Sequence, residues 1–114
     1  MNWLKGRFKY AFSGFRYALM DRSILLQFVF GLIVIIAGFL FRLTVLEWIL
    51  ILICICFVIF AEIVNSCIEN LVDYISLKHT PQGKKIKDMA AAAVLLISVM
   101  SAAIGLMIFL PKLF

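Results

Sequence analysis

Three long apolar stretches decide what this chain can become. Met89 to Pro111 carries no charge, and Ile24 to Phe41 has Gln27 as its one strongly polar member. Trp48 to Ala61 is also uncharged and continues into a polar-studded stretch, Glu62 to Ser76. A helix needs about 20 mostly apolar residues to cross the hydrocarbon core of a bilayer. The third stretch meets that length outright. The second meets it when its last turns, acids included, stay in or near the membrane. The chain is 66% hydrophobic and only 15% charged, too little charge to coat a water-soluble surface of its size. Its 114 residues fit one domain. The expected fold is an all-α integral membrane protein with an N-terminal amphipathic surface helix at 1–22. Transmembrane helices are expected at 24–41, at 46–76 with a cytoplasmic extension, and at 88–111.

The charges give an orientation. Lys5, Arg7, Lys9, Arg16 and Arg22 precede the first span, and Lys78, Lys84, Lys85 and Lys87 lie between the second and third. Only Arg42 and Lys112 fall on the other side. Basic residues concentrate on the cytoplasmic side of membrane proteins, so three spans place the N-terminus inside and the C-terminus outside the bacterial cytoplasmic membrane. The net charge of +5 flanks apolar runs, which suits anionic membrane lipids and does not form the soluble basic face a nucleic-acid partner needs. The first apolar run starts late, is long and lacks a small-residue cleavage site, so an uncleaved span is expected. Before it, aromatic residues from Trp3 to Tyr17 alternate with Lys5, Arg7, Lys9 and Arg16, the pattern of a helix lying in the interface. Gly14 is a candidate bend.

Cys54, Cys56 and Cys67 all sit in apolar stretches and read as small buried side chains. Cys54 and Cys56 point about 200° apart on a helix and cannot share a ligand site. His79, the one histidine, reads as a solvated loop residue.

The segment Glu62 to Asp73 carries the chemistry. Glu62, Asn65, Ser66, Glu69 and Asp73 fall within an arc of about 100° on a helix, with apolar residues around them. With Glu47 at the outer interface, Glu62 lies about 22 Å of helix rise away, against a core of about 30 Å. That puts it just inside the cytoplasmic boundary, with Glu69 and Asp73 rising into the headgroup zone. Carboxylates held together repel unless a cation bridges them, and such oxygen-rich sites suit Mg²⁺ when nucleotide phosphates complete the shell. One carboxylate can instead take a proton from a lipid hydroxyl. Acids at membrane depth are costly and point to function, although a polar helix end emerging into water has the same composition.

A second cluster, Lys84-Lys85-Ile86-Lys87-Asp88, is expected at a helix N-terminus on the same side. Lysines and free backbone N–H groups there attract phosphate, and Asp88 can serve as an N-cap. The positive-inside bias explains the lysines equally well.

These residues resemble the small prokaryotic diacylglycerol kinase and undecaprenol kinase family. The resemblance is carried by Glu62-x-x-Asn65-Ser66-x-x-Glu69-x-x-Val72-Asp73 and by Lys87-Asp88-Met89 with the alanine run that follows, and it covers nearly the whole chain. It implies an ATP-dependent lipid kinase, a homotrimer with active sites shared between subunits, and Mg²⁺ as cofactor. It implies Glu62 as the general base, Glu69 as a metal-binding carboxylate and Lys87 as a phosphate-binding lysine, with Asn65, Asp73 and Asp88 on the nucleotide side. The family usually has a Glu entering the first span, whereas this chain has Asp21-Arg22-Ser23. Counting from Gly14 without a gap puts Arg22 at that position, and a one-residue deletion puts Asp21 there as a metal ligand. The alanine run and the Gly105 to Pro111 ending resemble the undecaprenol branch more than the diacylglycerol branch. Two other classes fit less well. A small ion-coupled transporter usually holds its essential acid near the bilayer midplane, and a regulatory membrane peptide needs no polar stripe at fixed spacing.

Overall fold

The computed structural model describes residues 2–76 and 78–114. Four helices account for the regular structure described: α1 (Asn2–Leu19), α2 (Arg22–Leu40), α3 (Val45–Ile75) and α4 (Pro81–Leu113). The last three are long and apolar enough to cross a membrane. Helix α1 continues through Gly14, the candidate bend, without a break. A lone glycine costs a helix only about 1 kcal/mol, and no neighbouring side chain presses on this one. The helix packs lightly, with Ala18 as its buried residue, and Arg7 stacks over the Trp3 ring at 5.5 Å.

Each junction has a local cause. The elbow after α1 closes through bonds from the Met20 and Asp21 N–H groups to the Tyr17 and Ala18 carbonyls, and Asp21 then caps α2 by accepting the Ser23 N–H at 2.9 Å. At the far end of α2, the Leu43 N–H reaches the Gly38 carbonyl and the Arg42 N–H reaches that of Phe39. This Schellman pattern needs a left-handed residue after the cap. Arg42 takes that role at φ 53°, where glycine is the usual choice. Helix α3 opens with a capping box: the Thr44 hydroxyl accepts the Glu47 N–H and the Glu47 carboxylate accepts the Thr44 N–H.

The expected helix start near Asp88 is displaced. Thr80 caps α4 by accepting the Gly83 N–H, and Pro81 follows in the first turn, where its fixed φ favours a helix. The lysine cluster therefore lies within the first two turns of α4, and Asp88 is an interior residue rather than a cap.

Helices α2 and α4 both pack on α3, α4 far more extensively. Glycine lets α2 approach closely. A Cβ at Gly31 would meet Ile55 at 2.9 Å, and one at Gly38 would meet the Trp48 ring at 2.6 Å. The connected core cluster is Leu43, Ile51 and Ile108, with Trp48, Phe41 and Phe109 against it, toward the end remote from the lysine cluster, while Ile24 is buried separately near the elbow. Two ion pairs staple α3 to α4: Lys112 to Glu47 at 3.0 Å at this remote end, and Lys87 to Asp73 at the basic end. The two pairs lie about 39 Å apart along α3 and about 38 Å along α4 by helix rise, so one antiparallel register satisfies both.

Candidate active site

The acidic face of α3 is assembled as a helix of this length dictates. Glu62, Asn65, Ser66 and Glu69 occupy successive turns, and Asp73 follows one turn on. The Asn65 side-chain N–H donates to Glu69 Oε1 at 3.1 Å, which fixes one carboxylate rotamer. Asn65 thus stands with Glu69 rather than with Asp73 and Lys87. Its Oδ1 is buried without a hydrogen-bond partner among the described residues.

Asp21 arrives from a different helix. The Ser66 hydroxyl donates to Asp21 Oδ2 at 2.8 Å, a part-buried bond spanning 45 sequence positions. Asp21 is thereby gathered to the acidic face of α3. Sequence reasoning placed Ser66 on the stripe but gave it no partner. Its spacing, four residues after Glu62 and three before Glu69, was the available signal.

The lysine cluster splits in two. Lys87 reaches across to Asp73 on α3, with about a third of its side chain exposed. Lys84 pairs with Asp88 one turn away on α4, both exposed. The first two turns of α4 stand beyond the apolar run, and there the Asp88 carboxylate, by hydrogen bonding, holds the Lys84 ammonium above its ordinary value. Between the ends of α3 and α4 lies an open pocket of about 460 Å³ bounded by Asp73, His79, Thr80, Lys84, Lys87 and Asp88. His79, read from the sequence as a solvated loop residue, is on its wall. An ammonium has three donors, so Lys87 keeps two beyond its bond to Asp73.

A second cleft, about 560 Å³ and almost wholly apolar, runs between α2 and α4 over α3. Gln27 and Ile59 line it, and Ile59 is one turn from Glu62. It extends to Phe109 and Ile51 at the remote end.

Among the described residues no three acidic, histidine or cysteine side chains converge as a metal-binding group. The donor set still suits Mg²⁺. That ion keeps several waters and is held by one or two carboxylates plus substrate phosphates rather than by an all-protein cage, and Asp21 and Glu69 are hard oxygen donors on one face.

The fold and site thus define a small multi-pass helical membrane protein with an acid- and lysine-lined pocket at one interface and an apolar cleft beneath it. The family model for prokaryotic diacylglycerol kinase matches residues 9–109, and the chain belongs to that family. It is also 48% identical over 80 residues to the undecaprenol kinase of Bacillus subtilis (strain 168). That match covers 70% of this chain and 65% of the relative, a little under two thirds of its length.

Proposed function

We propose that the protein is a lipid kinase that transfers the γ-phosphoryl group of ATP to a membrane lipid alcohol, with undecaprenol as the preferred acceptor. One observation carries the reading: a carboxylate-lined helix face at membrane depth stands between an apolar cleft and a lysine-lined pocket. A lipid chain suits the cleft and nucleotide phosphates suit the pocket. Glu62 lies on α3 one turn from Ile59 of the cleft and on the side toward the pocket, where a lipid hydroxyl at the cleft's end would meet it.

Glu62 accepts the hydroxyl proton as the lipid oxygen forms its bond to the γ-phosphorus. The bond from that phosphorus to the bridging oxygen breaks, and ADP leaves with the electron pair. Lys87 offers its free N–H donors to the phosphates and Asp73 holds it in place. Asp88 keeps Lys84 at the pocket mouth. Asn65 orients Glu69. Asp21 and Glu69 would hold Mg²⁺, which when bound supplies charge neutralisation for the phosphates. The preference for undecaprenol over diacylglycerol rests on the 48% identity to the Bacillus subtilis enzyme. We infer a homotrimer as the working assembly, which would cover part of the apolar surface that one copy leaves open.

The test is phosphate transfer from labelled ATP with Mg²⁺, using purified protein in mixed micelles with undecaprenol or diacylglycerol offered separately. Transfer to undecaprenol is expected to exceed transfer to diacylglycerol. Glu62→Gln should lower it by about a hundredfold or more, the scale of general-base catalysis, with helicity unchanged. A folded wild-type protein that phosphorylates neither lipid would overturn the reading.

A further inference from the structure

We propose that Ser66 is a positioning residue: its hydroxyl holds the Asp21 carboxylate, and with it the elbow between α1 and α2, against the acidic face of α3. The inference rests on the reading of Asp21 as part of the metal and phosphate site.

Asp21 does not belong to the acidic helix, so something must bring it there. Its two oxygens do different jobs. Oδ1 accepts the Ser23 N–H at 2.9 Å and caps α2, while Oδ2 accepts the Ser66 hydroxyl at 2.8 Å. The cap needs one oxygen and would survive without Ser66. The Ser66 bond is what fixes the carboxylate toward α3. Each oxygen has a second lone pair, so neither bond uses up the group's capacity to hold a cation.

Two considerations make this bond matter. Drawing Asp21 onto a helix face that already carries Glu62 and Glu69 brings like charges toward one another, which is unfavourable. A hydrogen bond to an ionised acceptor is about twice as strong as a neutral one and offsets part of that repulsion. Aspartate is also one methylene shorter than glutamate, so its reach depends on how closely the elbow is drawn in. Asn65 and Ser66 then act as a matched pair of adjacent donors, Asn65 to Glu69 and Ser66 to Asp21, each orienting one carboxylate on the same face.

The experiment uses the full chain in the same micelles. Transfer is measured against Mg²⁺ concentration at saturating ATP and lipid, and Mn²⁺ binding in the presence of ADP is followed by electron paramagnetic resonance. Ser66→Ala should raise the half-saturating Mg²⁺ and the Mn²⁺ dissociation constant by about tenfold, the usual scale for losing a group that orients a metal ligand. The rate at saturating metal should stay within about twofold, since no group that touches the reacting atoms is lost. Ser66→Thr, which keeps the hydroxyl, should restore both constants, and Ser66→Ala should add nothing to Asp21→Ala. Unchanged metal constants in Ser66→Ala, additive effects with Asp21→Ala, or no rescue by threonine would overturn the proposal. Should Ser66→Ala fail to fold, Ser66→Cys replaces the hydroxyl with a weak donor of similar size and is read the same way. A wild-type protein that transfers to no lipid would sink the kinase reading, and the Mn²⁺ arm would still decide the role of Ser66.

Discussion

The two ends of the α3–α4 pair carry the same device and use it differently. At the remote end Glu47 is fully committed. It closes the capping box with Thr44 and takes Lys112, and both side chains of the ion pair are three-quarters covered. Around it Leu43, Ile51, Ile108 and Trp48 form the core. At the basic end Asp73 is 61% exposed and Lys87 has donors to spare. Charges at the first end are consumed by structure, while those at the second remain available to a ligand. The core cluster lies away from the proposed phosphoryl transfer, and the site sits where α3 passes from its apolar run into its polar last turns.

The largest effect that would sharpen this contrast is on activity. Lys87→Met should raise the ATP concentration for half-maximal transfer by about tenfold, because a hydrogen bond to a charged phosphate contributes about 1.5 kcal/mol or more. Lys112→Met, the matching change at the other end, should leave transfer intact and lower the thermal midpoint, because it leaves the largely covered Glu47 carboxylate without its cation. Equal effects on transfer from the two variants would break the comparison.

Next comes Gly38→Ala. Its Cβ would meet the Trp48 ring at 2.6 Å and Leu43 at 3.0 Å. Overpacking of this kind costs about 1–3 kcal/mol, read as a lower unfolding midpoint in micelles with unchanged transfer per folded protein. The smallest effect has the opposite sign. Arg42→Gly should stabilise by about 1 kcal/mol, since the left-handed conformation penalises a residue with a Cβ. A fall in stability would show that the Arg42 side chain makes a contact worth more than the backbone penalty.

Hydropathy and helical periodicity were enough to read the all-α architecture and the three spanning helices, because lipid leaves few alternatives to uninterrupted helices, while the family came from the resemblance of the Glu62 to Asp73 and Lys87-Asp88-Met89 motifs. The same periodicity put Glu62, Asn65, Ser66, Glu69 and Asp73 on one face, a local property of any helix that carries them. The lysine cluster and Asp88 suggest a later start for α4 than the one Thr80 and Pro81 provide as cap and first turn. Contacts between helices were beyond the sequence. Neither candidate for the departed position, Asp21 or Arg22, could be chosen by counting from Gly14. The elbow geometry and the Ser66 hydroxyl put Asp21 on the acidic face. Likewise nothing in the chain paired Lys112 with Glu47 or Lys87 with Asp73 until α3 and α4 met in one antiparallel register. Local spacing determines which residues share a face. Which faces meet depends on side-chain packing between helices, here on the close approach that Gly31 and Gly38 permit and on the core around Ile51.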